Sequence, residues 1–282
     1  MRTARSLDWQ LAAPLALFYV AFVFAPIGLL VAVSFAESPE FDTFSLHQYA
    51  RVFGDAYQRG ILADTLQIGA QTTAVTVLLA YPLALLHLRS GPTVRRLILL
   101  AILLPLLTST VVRTFGWVVI LGRQGLINTA LLGAGLVEKP VQLLYTHNAL
   151  VVALAQIELP LMALPIINAL ARIDPTLIDA SATLGARRWR TFFKVVLPLS
   201  LPGLIAGMAL VFAGSISAII TQTLVGGGRM LFMPYHLYQQ AILANDWPFA
   251  AALAVILLAF VLMVVGSLLA FERSMARWRH AG

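Results

Sequence analysis

The chain has 282 residues, of which 60% are hydrophobic and only 11% are charged, with a net charge of +7 and no cysteine. So much apolar side chain cannot be buried in a soluble core of this size, where charged residues approach about a quarter of the total. The composition therefore excludes an ordinary soluble protein, and the lack of cysteine excludes disulfides and thiolate metal sites.

Six apolar segments long enough to cross a bilayer are predicted. They lie near residues 10–35, 62–88, 97–121, 148–171, 200–225 and 248–271. The third and fourth segments contain prolines, and we expect kinked helices there and not broken ones, because neighbouring helices can satisfy the freed carbonyls. The first segment is too long for a cleavable signal peptide, so we expect it to be retained. The sequence predicts an all-α membrane protein with one transmembrane domain, residues 1–282.

The basic residues are unevenly distributed between the connections. If both termini and the second and fourth connections are cytoplasmic, 13 of the 19 basic residues lie on that side and the other six lie outside or within a span. This asymmetry follows the positive-inside rule. We therefore predict cytoplasmic termini, and we attribute the positive charge to an anionic leaflet and not to nucleic-acid binding. The 13 residues are Arg2, Arg5, Arg89, Arg95, Arg96, Arg172, Arg187, Arg188, Arg190, Lys194, Arg273, Arg277 and Arg279.

Polar residues inside the predicted spans are candidates for a transport pathway. Glu158 lies near the middle of the fourth span, where a carboxylate is costly unless it faces protein or water. It could attract a cationic solute, it could pair with Arg113 across helices, or it could be held protonated. Asp64, Gln67 and Gln71 follow helical spacing in the second span, and they either line the pathway or form a polar seam between helices.

The fifth span carries a stripe of small residues along one side: Gly207, Gly214, Ser217 and Thr221. Small side chains allow helices to approach closely. The stripe could serve packing within the chain or contact with a second membrane subunit, and we expect a mixture of both. The GGGR segment at 226–229 follows this span and is interpreted as a turn on the outer side.

The connection at 173–199 and the start of the fifth predicted span include the sequence IDASATLGARRWRTFFKVVLPLSLPG, residues 178–203. Asp174 before Pro175 predicts the start of a short helix over 176–184, and Gly185 predicts its end in a left-handed conformation. A second, interfacial helix is expected to follow and to end at Pro198 and Pro202. Its apolar face is predicted to consist of Trp189, Phe192, Phe193 and Val196.

This connection resembles the coupling loop of type I ABC importer permeases, in which EAA is followed by a glycine and later by a leucine–proline pair. The matching residues are Asp179, Ala180, Ser181, Gly185, Leu197 and Pro198. Asp179 stands where glutamate is usual, and Ser181 stands where the second alanine is usual. GRQGLIN at 122–128, NDWPF at 245–249 and PLLTSTVVRTFGW at 105–117 look like the spermidine/putrescine permease branch.

The resemblance implies a permease subunit of an ATP-driven, binding-protein-dependent importer in a bacterial inner membrane. It implies four kinds of partner: two cytoplasmic ATPase subunits, a second and homologous permease, an external substrate-binding protein, and the lipid bilayer. The short helix would dock in an ATPase cleft, with Ala180 and Ser181 allowing close approach. The solute would be small and polar or cationic, such as a polyamine, although aminophosphonates, opine-like compounds, thiamine and ferric iron also remain open.

The absence of certain motifs argues against ATP binding, metal binding and catalysis by this chain. The chain has no GxxxxGK[ST] phosphate loop, so ATP and magnesium are expected in the partner ATPases and no cofactor in this chain. Five scattered histidines predict neither a metal site nor a catalytic group, and we expect no enzyme activity. The alternative is an ion-coupled secondary transporter that uses Glu158 and Asp64 as a relay. A purely structural scaffold is disfavoured by the buried acid.

Overall fold

The computed structural model describes residues 13–38, 40, 42–228 and 230–280, without the side chains of residues 276–280. Predictions made for residues 10–12, Arg2, Arg5 and Arg229 lie outside the described residues, as do those for the side chains of Arg277 and Arg279. The described ranges are helical, and their only β-pairing is an isolated bridge between Ala36 and Phe44.

We number the helices of the described ranges in chain order. They are α1 Ala13–Ser34, α2 His47–Gly54, α3 Ala56–Arg89, α4 Pro92–Leu103, α5 Thr110–Leu121, α6 Leu126–Gly133, α7 His147–Ala171, α8 Pro175–Thr183, α9 Arg188–Ser217, α10 Ile219–Gly226, α11 Met233–Tyr238 and α12 Trp247–His280. Short π-helical turns lie within α1 at Val20–Phe24 and within α9 at Phe192–Val196, and another follows α11 at Gln239–Leu243.

Six helical segments of the described chain are long and apolar enough to cross a membrane. This finding confirms the predicted all-α class and the number of spans. The segments are Ala13–Ser34, Ala56–Arg89, Thr110–Gly133, His147–Ala171, Arg188–Ser217 and Trp247–Met275.

The third predicted span, 97–121, is wrong as a continuous helix. A 3-10 turn at Leu104–Leu107 ends α4, and Thr108 and Ser109 have extended backbones. The Ser109 side chain then accepts a hydrogen bond from the Val111 N–H and so caps the start of α5. The apolar segment of crossing length begins only at Thr110, because serine at the N-cap favours a new helix start over continuation.

The fifth predicted span, 200–225, also differs from the structure. Helix α9 begins at Arg188 and runs unbroken to Ser217, so Pro198 and Pro202 do not end an interfacial helix as predicted. The π-turn just before Pro198 widens the helix, and such turns accommodate a proline ring. The span then ends at Ala218, whose ψ of 61° breaks the helix before α10.

The chain divides into two compact units, which are Met1–Gly60 with Tyr235–Ala259 and Ile61–Pro234 with Phe260–Gly282. In the described part of the first unit, Arg51 forms an ion pair of 2.8 Å with Asp246, and its guanidinium lies 3.9 Å from the centre of the Phe249 ring. His236 is buried and is hydrogen-bonded to Gln58 at 2.8 Å. Burial lowers the pKa of His236 below its ordinary value, which favours the neutral ring.

The core of the second unit forms where α9 packs against α7. A methyl group built on Gly207 would lie 2.8 Å from the sulfur of Met162, and one built on Gly203 would overlap the Pro165 carbonyl. Only glycine permits this approach of the two backbones. Helix α7 stays continuous through Pro160 and Pro165, and its buried Ile166 and Leu170 form a hydrophobic core with residues of α3, α4 and α9.

Candidate functional site

Helix α8 has well-defined ends. Asp174 Oδ1 accepts a hydrogen bond of 2.9 Å from the Thr176 N–H, and Pro175 occupies the first helical position. This hydrogen bond lowers the pKa of the Asp174 carboxyl below its ordinary value. At the other end, Gly185 adopts a φ of +75°, the left-handed conformation predicted for it. The helix is thus capped at both ends by local sequence.

A pair of hydroxyl groups joins α8 to the start of α9. Ser181 Oγ donates to the Ile178 carbonyl at 2.7 Å and lies 2.8 Å from Thr191 Oγ1. Thr191 is buried, and Ser181 is half-buried. The structure therefore places Ser181 toward its own chain, whereas the sequence prediction had it facing a docking cleft. Thr191 was missed because threonine within a basic segment carries no distinct signal.

Much of the surface of α8 is open to solvent. Asp179 and Ala180 are both exposed, and none of the helix residues is buried. Two leucines share this exposure: Leu184 is 87% exposed and Leu177 is 47% exposed. Sequence analysis missed both leucines, although an apolar residue directly before a helix-ending glycine was a usable signal. The short helix thus presents an acid, a small residue and apolar side chains to a potential partner.

The aromatic residues after Gly185 contact one another, in line with the predicted shared face, although they differ in burial. Trp189 stacks on Phe193 with ring centres 6.2 Å apart, and both rings are exposed. Phe192 contacts Phe193 at 5.0 Å and also packs edge-to-face with Tyr81 at 5.7 Å, in the same hydrophobic core as the buried Val196. The motif residues Leu197 and Pro198 are half-buried within α9, and Leu197 packs against the same core.

A polar cluster lies where α5, α7 and α9 meet. Arg113 donates to the Ile157 carbonyl at 3.1 Å and to Thr110 Oγ1 at 3.2 Å. Glu158 is buried, and no salt bridge joins it to Arg113 among the described side chains. The arginine therefore contacts the backbone beside Glu158 and does not form the direct ion pair that the sequence had suggested.

Small residues bring α9 and α10 close to this cluster. A methyl group built on Gly214 would lie 2.6 Å from Oε2 of Glu158, so the carboxylate lies against the glycine backbone. Thr114 and Thr221 are both buried, and their hydroxyls are 3.0 Å apart. Gly207, Gly214 and Thr221 of the predicted stripe thus serve packing within the chain, whereas Ser217 is exposed.

The polar residues predicted on the second span take different environments. Asp64 and Gln67 are exposed on α3, and Gln71 is half-buried and hydrogen-bonded to His147. Within the described ranges, neither a hydrogen bond nor an ion pair connects Asp64 with Glu158. The same ranges contain no group of three histidine, aspartate or glutamate side chains that could hold a metal ion.

The fold is that of an ABC transporter membrane subunit, as two comparisons with solved structures show. A chain from a bacterial transporter involved in the import of the acidic polysaccharide alginate superposes with a TM-score of 0.77 at 17% identity, covering 96% of this chain and 98% of that chain. A chain of the MetNI methionine ABC transporter gives a TM-score of 0.59 at 17% identity, covering 78% of this chain and 99% of that chain.

The family is established by sequence. The family model described as "Binding-protein-dependent transport system inner membrane component" matches residues 76–277, and the chain belongs to this family. It is therefore a permease of a binding-protein-dependent ABC importer, and its six apolar helices make it a multi-pass protein of the bacterial inner membrane.

Two of the similar proteins are spermidine/putrescine permeases, and a third is the permease YdcU. The spermidine/putrescine transport permease PotB of Haemophilus influenzae is 31% identical over 252 residues, which is 87% of this chain and 88% of the relative. PotB of Escherichia coli K12 is 29% identical over 242 residues, covering 84% of this chain and 88% of the relative. The Escherichia coli permease YdcU is 32% identical over 75% of this chain and 72% of its own length.

Proposed function

We propose that this chain couples ATP hydrolysis in cytoplasmic partner subunits to the import of a small cationic amine. The observation that carries the proposal is α8, a helix capped at both ends, in which Leu177 and Ala180 are exposed and which is followed by the exposed Leu184. Exposed apolar side chains on a short, fixed helix are suited to a protein partner. In the family, ATPase subunits and an external binding protein are the partners, and we assign two ATPases, a second permease and one binding protein to this complex.

The contacts of α8 support transmission of its movement into the membrane. Ser181 and Thr191 join α8 to α9, which then continues as one helix from Arg188 to Ser217. Near its other end, Gly214 of α9 lies against the carboxylate of Glu158 on α7. Because packed helices move as rigid bodies, a displacement of α8 by a closing ATPase dimer would shift α9 against the polar cluster. Movement at the coupling loop would thereby alter the pathway.

The solute is proposed from charge and from the relatives. Glu158 provides a buried carboxylate, and Asp64 provides an exposed one on another span. Acidic groups within a membrane segment favour the passage of cations. The permeases named for spermidine and putrescine transport match most of the chain, and polyamines are flexible cations of the required kind. We therefore propose a polyamine or a related amine as the solute.

Gly185→Val tests the coupling function. Valine is strongly disfavoured at the φ of +75° that Gly185 adopts, so α8 should tilt at a cost of about 1–3 kcal/mol. The complex should assemble normally, while ATP hydrolysis stimulated by the binding protein and uptake of labelled spermidine into vesicles should both fall about tenfold. Gly91→Val is the matched control, because Gly91 is an exposed glycine with an ordinary φ of −66° and open space around it.

Two results would contradict the proposal, one from the mutant comparison and one from vesicles without ATPase subunits. If Gly185→Val couples as well as Gly91→Val, the conformation of this loop does not control transport. If vesicles lacking ATPase subunits accumulate spermidine from an ion gradient alone, the chain is an ion-coupled transporter, for which Glu158 and Asp64 were the candidate relay.

A further inference from the structure

A cavity of about 730 Å³ lies between α8 and the ends of α3 and α7. Its volume is typical of pockets that bind small molecules. Most of its wall is apolar, and the residues forming that wall include Leu85, Leu88, Leu170, Ile178 and Phe192. The residues proposed to face an ATPase, Leu177, Ala180 and Leu184, do not line this cavity, whereas Ile178 and Ala182 of the same helix do.

Three arginines also line the cavity. Arg95 donates from Nη2 to the Leu88 carbonyl at 3.0 Å and from Nε to the His87 carbonyl at 3.3 Å, so it caps the end of α3. The side chains of Arg89 and Arg188 make neither a hydrogen bond nor an ion pair with any described residue. No aspartate or glutamate is among the described residues that line the cavity. The cavity therefore combines an apolar wall with two uncompensated guanidinium groups.

The position of the cavity indicates what fills it. Arg89 is the last residue of the span Ala56–Arg89, and Leu170 is one residue from the end of the span His147–Ala171. The cavity thus lies at the level of the membrane surface, with its apolar wall continuous with the spans. A free anion could bind the arginines but would leave the apolar wall bare, whereas an anionic lipid satisfies both. A zwitterionic headgroup gains less, because its own positive charge opposes the arginines.

We infer that this cavity binds one anionic phospholipid, with the headgroup phosphate at Arg89 and Arg188 and part of an acyl chain against Leu85, Leu170 and Phe192. The bound lipid also touches Ile178 and Ala182 on the inner side of α8. Binding itself is independent of the proposed function. An effect of the lipid on ATPase coupling rests on that function, because it acts through the position of α8.

Photocrosslinking tests the lipid site in the complete transporter complex. The complex is placed in nanodiscs of phosphatidylethanolamine containing a phosphatidylglycerol with a photoactivatable acyl chain. Crosslinked peptides should map to the end of α3 and to α8. Arg89→Gln with Arg188→Gln should reduce crosslinking about thirtyfold, since each arginine near an anionic surface strengthens lipid binding about fivefold, and Arg89→Lys with Arg188→Lys should largely restore it. Arg187→Gln with Arg190→Gln is the matched control, because these exposed arginines lie outside the cavity.

The outcomes separate the possible occupants. Retained crosslinking in the Arg187/Arg190 control, together with no competition by inorganic phosphate, supports a specific lipid site. Equal losses in both double variants would reduce the effect to general surface charge and overturn the inference. Displacement of the lipid probe by inorganic phosphate would assign the cavity to a soluble anion and would also overturn it. ATP hydrolysis measured on the same samples reports separately on coupling, so a lipid site without effect on hydrolysis leaves the inference standing.

Discussion

Glu158 and Gly214 show how one glycine can determine the place of a charged group. The carboxylate is buried on α7 and lies against the backbone of α9, where any side chain at position 214 would occupy its space. Arg113 contacts the neighbouring Ile157 carbonyl and does not form a salt bridge with Glu158 within the described part of the chain. The hydrogen bonds that position Arg113 are those to the Ile157 carbonyl and to Thr110 Oγ1.

Glu158→Gln should lower spermidine uptake about tenfold, equivalent to about 1.4 kcal/mol in the transport barrier, while the complex assembles normally. The amide keeps the shape of the side chain and removes its charge. Gly214→Ala should have a similar effect, because the new methyl group would displace a carboxylate oxygen only 2.6 Å away. Spermidine uptake by reconstituted vesicles measures transport, and the yield of purified complex measures assembly.

Gly266→Ala is the control for Gly214→Ala, since Gly266 has open space around it within another span. Normal uptake by both Glu158→Gln and Gly214→Ala would show that the acid has no role in the pathway. Loss of the assembled complex in Glu158→Gln alone would show that the acid is structural.

At the scale of single elements, the sequence predicts helix ends well where the signal is local. Asp174, Pro175 and Gly185 specify both ends of α8 through an N-cap and a left-handed residue, and the structure contains both features. Helix breaks within apolar segments were not predictable in the same way. The break at Ala218 interrupts a largely apolar run and gives little hydropathy signal, whereas Thr108 and Ser109 are a polar pair whose N-cap signal the predicted span overlooked.

The contacts of the candidate sites were less predictable than their residues. Sequence motifs indicated Ser181 and Glu158, but not that Ser181 pairs with Thr191 or that Glu158 lies against Gly214. Such pairs depend on how helices distant in sequence pack together. The continuation of α9 through Pro198 was also not predictable from the sequence. It depends on the π-turn at Phe192–Val196, which widens the helix just before the proline.

Asp174→Ala tests whether the cap holds α8 in place. Removing an N-cap side chain destabilises a helix by about 1 kcal/mol, because an amide donor at its first turn loses its partner. Hydrogen exchange over 175–183 should become severalfold faster, while exchange within α7 is unchanged. Asp179→Ala is the matched control, because the Asp179 side chain is exposed and does not cap the helix. Equal exchange in the two variants would contradict the assigned role of Asp174.

At the scale of the whole molecule, family membership and six apolar helices establish a multi-pass inner-membrane permease. We propose its orientation from the basic residues, which are concentrated in the second and fourth connections and at the termini. The proposed orientation would place α8 and the arginine-lined cavity on the cytoplasmic side, which is the side of the proposed ATPase subunits. The proposed coupling through α8 therefore requires this orientation, which also sets the leaflet in which the proposed lipid site lies.

Because the chain has no cysteine, single cysteines can report this orientation without background. Gly91→Cys in the second connection should react with an impermeant maleimide only from the cytoplasmic side. Glu138→Cys, at an exposed position between α6 and α7, should react only from outside. Each variant is labelled in intact cells and in inverted vesicles, which expose opposite sides of the membrane. Labelling of Gly91→Cys from outside and of Glu138→Cys from the cytoplasmic side would show that the chain has the opposite orientation.

The most direct test of the coupling account is a crosslink from Ala180. This exposed residue lies at the middle of α8, and a cysteine there would be the only one in the chain. In the assembled transporter, Ala180→Cys should crosslink through a short thiol–amine reagent to the ATPase subunit, and nucleotide binding should change the yield. A crosslink to lipid or to the external binding protein alone, with none to an ATPase subunit that is present, would contradict the account.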